Sequence, residues 1–442
     1  LFKDLTFFDT SFCSASRTFG GLKKFAFIVI LFAFLQPLRA AYLLIPMDES
    51  QKDHLKAYGL AYWALKGELE IHWLLNYRGG SFMIPAVKAV SSECVIRGIS
   101  YETISDAQHN AILAEIANPE VNQDAVKLEK APRIAVYSPK GKQPWDDAVT
   151  LVLKYAEIPY DVLYDEELFL EKLGDYDWLH LHHEDFTGQY GKFFGSFQHA
   201  AWYQAEVKEN ESTAKKLGFA KVSQMKLHSA KKIRDFVFNG GFLFAMCSAT
   251  DSYDIALAAD GIDICESMFD HDPADRSANS KIDYSKGFAF ENYKLSMNPY
   301  EYEYSTIDTY TSRRQYGPNE KNDRFTLFDF SAKWDPVPSM LCQNHTSTIN
   351  GFWGQTAGFT KSLIKKNVLI LGEAKAWNEA RYIHGDHGKG TWTFYSGHDP
   401  EDYEHRVEEP PTDLSLHPNS PGYRLILNNI LFPAAKKKKQ KT

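Results

Sequence analysis

Cysteine is scarce, with five in 442 residues. A disulfide framework is therefore excluded, and a packed core has to hold the fold. Positive charge is short as well: 49 Lys and Arg stand against 57 Asp and Glu, a net charge of −8. The only basic run, Lys436–Lys439, lies at the extreme C-terminus and reads as a solvated tail over 436–442. A nucleic-acid binder presents a basic face, and nothing in this balance favours one. Glycine-rich phosphate signatures are absent, and Gly388-Lys389-Gly390 is no more than a turn. Tandem repeats are absent too. What remains is ordinary globular composition, with 44% hydrophobic, 24% charged and 14% aromatic residues. That excludes a disordered or collagenous chain. At roughly 100–200 residues per domain, the length suggests two or three domains.

Two lysines, the apolar run Phe25–Leu35 and the small pair Ala40-Ala41 follow the three-part plan of a secretory signal peptide over 22–40. Eleven apolar residues are too few to cross a bilayer, which takes roughly 20. The first Met is Met47, so residues 1–21 read as translated upstream sequence. The expectation is an exported, periplasmic-type protein in an oxidising compartment. Cys94, Cys247, Cys265 and Cys342 remain after cleavage, and three pairings are open to them.

Residues 41–131 predict a small α/β domain: a strand at Tyr42–Pro46, a helix at Asp53–Lys66, a strand at Leu69–Asn76, and a polar linker at 117–131. From Pro132 to 435, strands at Arg133–Tyr137, Ile158–Leu163, Trp178–His182 and Phe242–Met246 alternate with helices. That alternation implies βαβ units and a parallel sheet. Residues 267–335, rich in Tyr, Asp, Asn and Ser, predict an insertion with β character. Strands at Val368–Leu371 and Thr391–Tyr395 and an amphipathic helix at Pro421–Leu431 complete the chain.

Three patterns could carry chemistry. The apolar strand Phe242–Met246 runs straight into Cys247-Ser248-Ala249-Thr250-Asp251 and a helix. A nucleophile on such an elbow stands above the sheet, where the helix N-terminus lowers its pKa and offers N–H groups to an oxyanion. Downstream, a strand delivers His398, with Asp399 and Glu401 after it. A thiol needs a His base and the base an orienting carboxylate, so Cys247, His398 and Glu401 or Asp399 form a candidate triad. Ser248, Asp251, His183 and Glu184 would line its pocket. The third pattern is His180-Leu181-His182-His183-Glu184 at the end of a strand, a set able to hold Zn²⁺ with one position open. His384, Asp386 and His387 are expected on strand-end loops as well.

With its elbow Cys247 and downstream His398, the chain from Pro132 onward resembles the class I glutamine amidotransferase-like superfamily. The run Gly390–His398 is similar to its trehalose-utilisation-type branch. Glu401 stands one residue beyond the family's usual spacing, and Ser248-Ala249-Thr250-Asp251 replaces its glutamine-binding pattern. The resemblance implies a three-layer αβα fold with a mostly parallel, flavodoxin-like sheet. The whole mature chain resembles exported Bacteroidota proteins labelled asparagine synthetase B. Neither an N-terminal Cys nor a Ser-Gly-Gly-x-Asp-Ser loop is present to support ATP-dependent chemistry under that label. The expectation is an exported Cys-dependent hydrolase of an amide, related C–N or ester bond, without cofactor, acting on a small-molecule or glycan-related substrate. Association with the cell envelope is compatible with it, and the oligomeric state stays open. A non-catalytic binding or envelope-scaffold protein on the same fold, and a Zn-dependent hydrolase using His180, His182, His183 and Glu184, are the alternatives.

Overall fold

The computed structural model describes residues 40–141, 143–309, 324–350, 354–402 and 406–435. The leader up to residue 39 and the lysine tail lie outside these residues. Residues 41–435 belong to one compact unit. Among the described residues, no helix is long and apolar enough to cross a membrane.

Strands β1 (Ala40–Ile45), β2 (Ile71–Leu75), β3 (Ser81–Pro85), β4 (Glu102–Ser105) and β5 (Asp124–Leu128) form a sheet in the order β4-β1-β3-β2-β5. Helices α1 (His54–Lys66), α2 (Lys88–Arg97) and α3 (Asp106–Ala117) connect them. Asp53, expected as the first helical residue, caps α1 instead, accepting from the Lys56 N–H at 2.8 Å. The expected linker 117–131 contains β5 instead. Val126 and Leu128 alternate inward there and pair with β2, a period-two signal too short to stand out among polar neighbours.

The second sheet begins with β6 (Ile134–Tyr137), α4 (Ala148–Tyr155), β7 (Asp161–Leu163) and β8 (Trp178–Leu181). Helices α5 (Ala201–Lys216) and α6 (Val222–Phe238) lead to β9 (Phe242–Met246) and α7 (Ser248–Ala258). Then come β10 (Arg324–Leu327), β11 (Thr348–Asn350), β12 (Phe359–Thr360), β13 (Leu369–Ala374), β14 (Glu379–His387), β15 (Gly390–Tyr395) and α8 (Pro421–Leu431). The order is β11-β10-β13-β14-β15-β9-β8-β6-β7, with β12 beside β14. From β7 to β15 the neighbours are parallel; from β15 to β11 they are antiparallel. The sheet is therefore mixed rather than mostly parallel.

The difference comes largely from β14, which sequence patterning misses because Glu379, Arg381 and His384 interrupt its apolar run. Glu379 and Arg381 are both fully buried, as a 2.7 Å ion pair, which makes charge tolerable in a central strand. The described part of 267–335 contains short helices, isolated bridges and β10 rather than a sheet of its own.

One core joins the two sheets, running from Leu43, Trp73 and Phe82 to Val136, Phe244 and Tyr395. Helix α8 is its pin. Leu425, Ile426, Leu427, Ile430 and Leu431 are each fully buried, worth about 1.5–3 kcal/mol apiece. Buried Arg424 reaches across to the N-terminal sheet, donating to the carbonyls of Met47 and Gly79 and to Tyr58 Oη. Helices α1 and α4 approach so closely that a Cβ on Gly59 would lie 1.9 Å from the Ala156 carbonyl oxygen. Gly→Ala in a helix normally gains roughly 0.5–1 kcal/mol. Gly59→Ala is expected to do the opposite and destabilise by about 1–3 kcal/mol through overpacking, read as a lower urea midpoint.

Candidate active site at the strand ends

The carboxyl ends of β8, β9 and β15 lie side by side. Cys247 leaves β9 with φ 51° and ψ −142°, a conformation a non-glycine residue holds at a cost of about 1–3 kcal/mol. Neighbouring strand ends impose it. The Cys247 N–H donates to the Gly397 carbonyl at 3.1 Å, and the Ala249 N–H to the His182 carbonyl at 2.9 Å. Thr250 Oγ1 donates to the Cys247 carbonyl at 2.7 Å. The expected elbow is thus present, built by a fully apolar strand meeting small residues.

Its thiol, however, is buried and donates to the Gln355 carbonyl at 3.2 Å. Burial above all, with the carboxyls of Asp251 and Asp308, pushes it up to about 12 despite the Ser248 N–H beside it. Ser248 and Asp251, expected to line a substrate pocket, are themselves fully buried in the first turn of α7. Asp251 accepts from Thr356 Oγ1 at 3.0 Å, and burial followed by Asp308 holds its carboxyl well above the usual range. Folded protein should therefore resist iodoacetamide at Cys247 near pH 8, where an ordinary thiol of pKa about 8.5 reacts. Peptide mass spectrometry should find the adduct only after unfolding in urea. Fast labelling of the native chain that His398→Ala slows would reinstate the thiolate.

The histidines make the denser cluster. His180 lies on β8, His182 and His183 directly follow it, and His398 follows β15. One ring nitrogen from each of His182, His183 and His398 lies within 4.8 Å of the other two. The rings of His182 and His398 are 4.2 Å apart, those of His182 and His183 4.8 Å, and those of His183 and His398 5.8 Å. Behind them, Asp147 Oδ2 lies 3.2 Å from His180 Nε2 and 3.4 Å from His182 Nδ1. Against its burial, these two imidazoles hold the Asp147 carboxyl well below the carboxylate range. Burial keeps His182 below the usual histidine value, with Asp147 offsetting only part of it.

Asp147 was not legible as a site residue. Its sequence signal is that of a helix cap, and it does cap α4, with Oδ1 accepting from the Thr150 N–H at 2.8 Å. Its second oxygen is what serves the histidines. The carboxylates expected to orient His398 are engaged with α8 and the residue that caps it. Asp399 accepts from Tyr423 Oη at 2.6 Å and from the Glu401 N–H at 2.9 Å, and burial pushes it up to about 7. Glu401 accepts from Ser420 Oγ and lies 3.5 Å from His417. Glu184 is buried beside His183, where desolvation pushes its carboxyl up to about 8. His384 and His387 are opposite Thr393 and Gly390, so with Asp386 they belong to β14 and approach the other end of β15, not the strand-end loops expected. The four described cysteines are all unpaired.

No family model and no curated protein matches this chain. Among solved structures, the cytoplasmic protein STM3548 from Salmonella typhimurium aligns over 69% of this chain and 100% of its own, at 8% identity and a TM-score of 0.33. STM1381 from Salmonella typhimurium LT2 aligns over 61% and 90%, at 11% identity and a TM-score of 0.30. Gan42B, a GH42 β-galactosidase, aligns over 61% of this chain and 28% of its own, at 12% identity and a TM-score of 0.26. Similarities this slight bear on neither the site nor its chemistry.

Proposed function

We propose that this chain is a metal-dependent hydrolase of an amide, ester or related C–N bond, centred on His182, His183 and His398. The observation that carries the reading is the approach of three imidazoles, one nitrogen each, to within 4.8 Å. Three His ligands with one position open is a pattern of catalytic zinc. A carboxylate behind the ligands, as Asp147 is behind His182, fixes ring orientation and tautomer. The parallel strands run β7-β6-β8-β9-β15, which numbered along the chain is the flavodoxin-like order, and that order supports a ligand site at their carboxyl ends. A bound Zn²⁺ would act as a Lewis acid toward a carbonyl oxygen. The protein's own part is to hold it between two strand ends and to exclude bulk water. Export is proposed on the leader pattern alone.

Metal analysis of the purified chain is the test, with about one zinc per chain expected. A protein that neither retains zinc nor takes it up at micromolar concentration would remove the reading. The strained backbone at Cys247 favours a second one, a Cys247–His398 hydrolase, and the labelling experiment above separates the two.

A further inference from the structure

We infer that a second cation position lies behind the first, made by Asp147, His180 and His182. Asp147 Oδ2, His180 Nε2 and His182 Nδ1 lie within 4.8 Å of one another. The oxygen is 3.2 Å from the His180 nitrogen and 3.4 Å from the His182 nitrogen. Three atoms so spaced have a point roughly 2 Å from each, the length of Zn–N and Zn–O bonds. An ion there sits between its own ligands and needs no cavity. Both histidines are fully buried, while the Asp147 side chain is 15% exposed. That side admits the ion and a water as fourth ligand.

His180 carries the argument, because the three-imidazole centre leaves it unused. Its Nδ1 lies 3.3 Å from the Phe244 carbonyl oxygen, which only accepts, so Nδ1 holds the ring proton. Nε2 is then a bare lone pair, and what faces it at 3.2 Å is a carboxyl oxygen. Two acceptors that close need something positive between them, a proton or a metal ion. A proton would make a hydrogen bond. Neither His180 Nε2 nor His182 Nδ1 has a hydrogen-bond partner, Asp147 included. The 3.4 Å contact also exceeds the usual range of about 2.7–3.2 Å. Two imidazoles and a carboxylate are, by contrast, an ordinary zinc donor set.

The inference rests on the metal reading through His182 alone. With Nδ1 turned to Asp147, Nε2 is the nitrogen left for the first ion. Holding both ions, His182 gives its remaining ring proton to water and bridges them as an imidazolate. Two imidazoles, one of them shared, make this the weaker position. The purified chain keeps the first ion, and the second binds only in excess zinc.

The test is equilibrium dialysis of the full chain against rising zinc, with bound metal counted by elemental analysis. Wild type is expected to saturate with about two ions, the second held at least about tenfold more weakly than the first. His180→Phe keeps a ring in place and removes both nitrogens, so it should retain the first ion and lose the second. Should that variant unfold, Asp147→Asn, which keeps the cap of α4, should still lose the second ion while weakening the first. Saturation at one ion that both variants retain would overturn the inference and leave the metal reading standing. A second ion indifferent to both variants is adventitious and overturns it as well. One ion lost in His180→Phe but kept in His398→Ala would keep this position and end the three-imidazole centre. No uptake at all would end both.

Discussion

On the proposed zinc reading, His398→Ala is expected to purify without stoichiometric zinc while remaining folded, and whatever hydrolytic turnover the parent chain has should go with the metal. Catalytic zinc takes three protein ligands, and of the three proposed here only His398 lies beyond the end of β15. Removing it leaves two adjacent residues on a single strand end, which cannot enclose an ion. Asp147→Asn is the graded companion. Asn preserves the cap of α4, so stability should hold, but the charge behind His180 and His182 is gone. Loss of such an outer partner typically lowers metal affinity about 10–100-fold. Competition against a zinc-binding dye reads both effects. Wild-type zinc affinity in His398→Ala, or no change in Asp147→Asn, would contradict the assignment.

The second large effect is acid lability. The rings of His54 and His345 lie 4.5 Å apart, tilted by 39°, and Arg424 Nη1 lies 3.5 Å from His345 Nδ1. Burial first, then Arg424, then the neighbouring imidazole lower His54 to about 3; burial and Arg424 lower His345 to about 4. Unfolded histidine titrates near 6.5. Between the two values the unfolded chain binds more protons, so stability present above about pH 6.5 is lost as the pH falls toward about 3–4. For almost fully buried His54 the loss approaches about 1.4 kcal/mol per pH unit across that window, a large share of a typical 5–15 kcal/mol. Urea unfolding from pH 7 to 4 should show the decline, and His54→Gln should make it shallower. Parallel curves for the two proteins would place the lability elsewhere.

The strand at Phe242–Met246 and the helix at Pro421–Leu431 were fully legible, because both are set by local pattern. An unbroken apolar run after Gly240-Gly241 reads as a central strand, and the helical apolar stripe over Pro421–Leu431 reads as an amphipathic helix. The elbow at Cys247 followed from the strand meeting small residues. Less legible were β5, too brief against its polar flanks, and β14, whose charges look like a loop until Glu379 and Arg381 are seen to neutralise each other in the core. The candidate triad was legible as residue types only, since nothing local says that Asp399 bonds to Tyr423 in α8 and Glu401 to Ser420 at its cap.

By itself, then, the sequence determined many of the strands and helices, the elbow, and that a histidine cluster ends a strand, because those features depend on neighbours a few residues away. The tertiary structure alone decided that His398 joins His182 and His183, that Asp147 stands behind them, and that the Cys247 thiol is sealed in. Those outcomes follow from strand order and register, which bring distant segments to one sheet edge and set which groups lose contact with water.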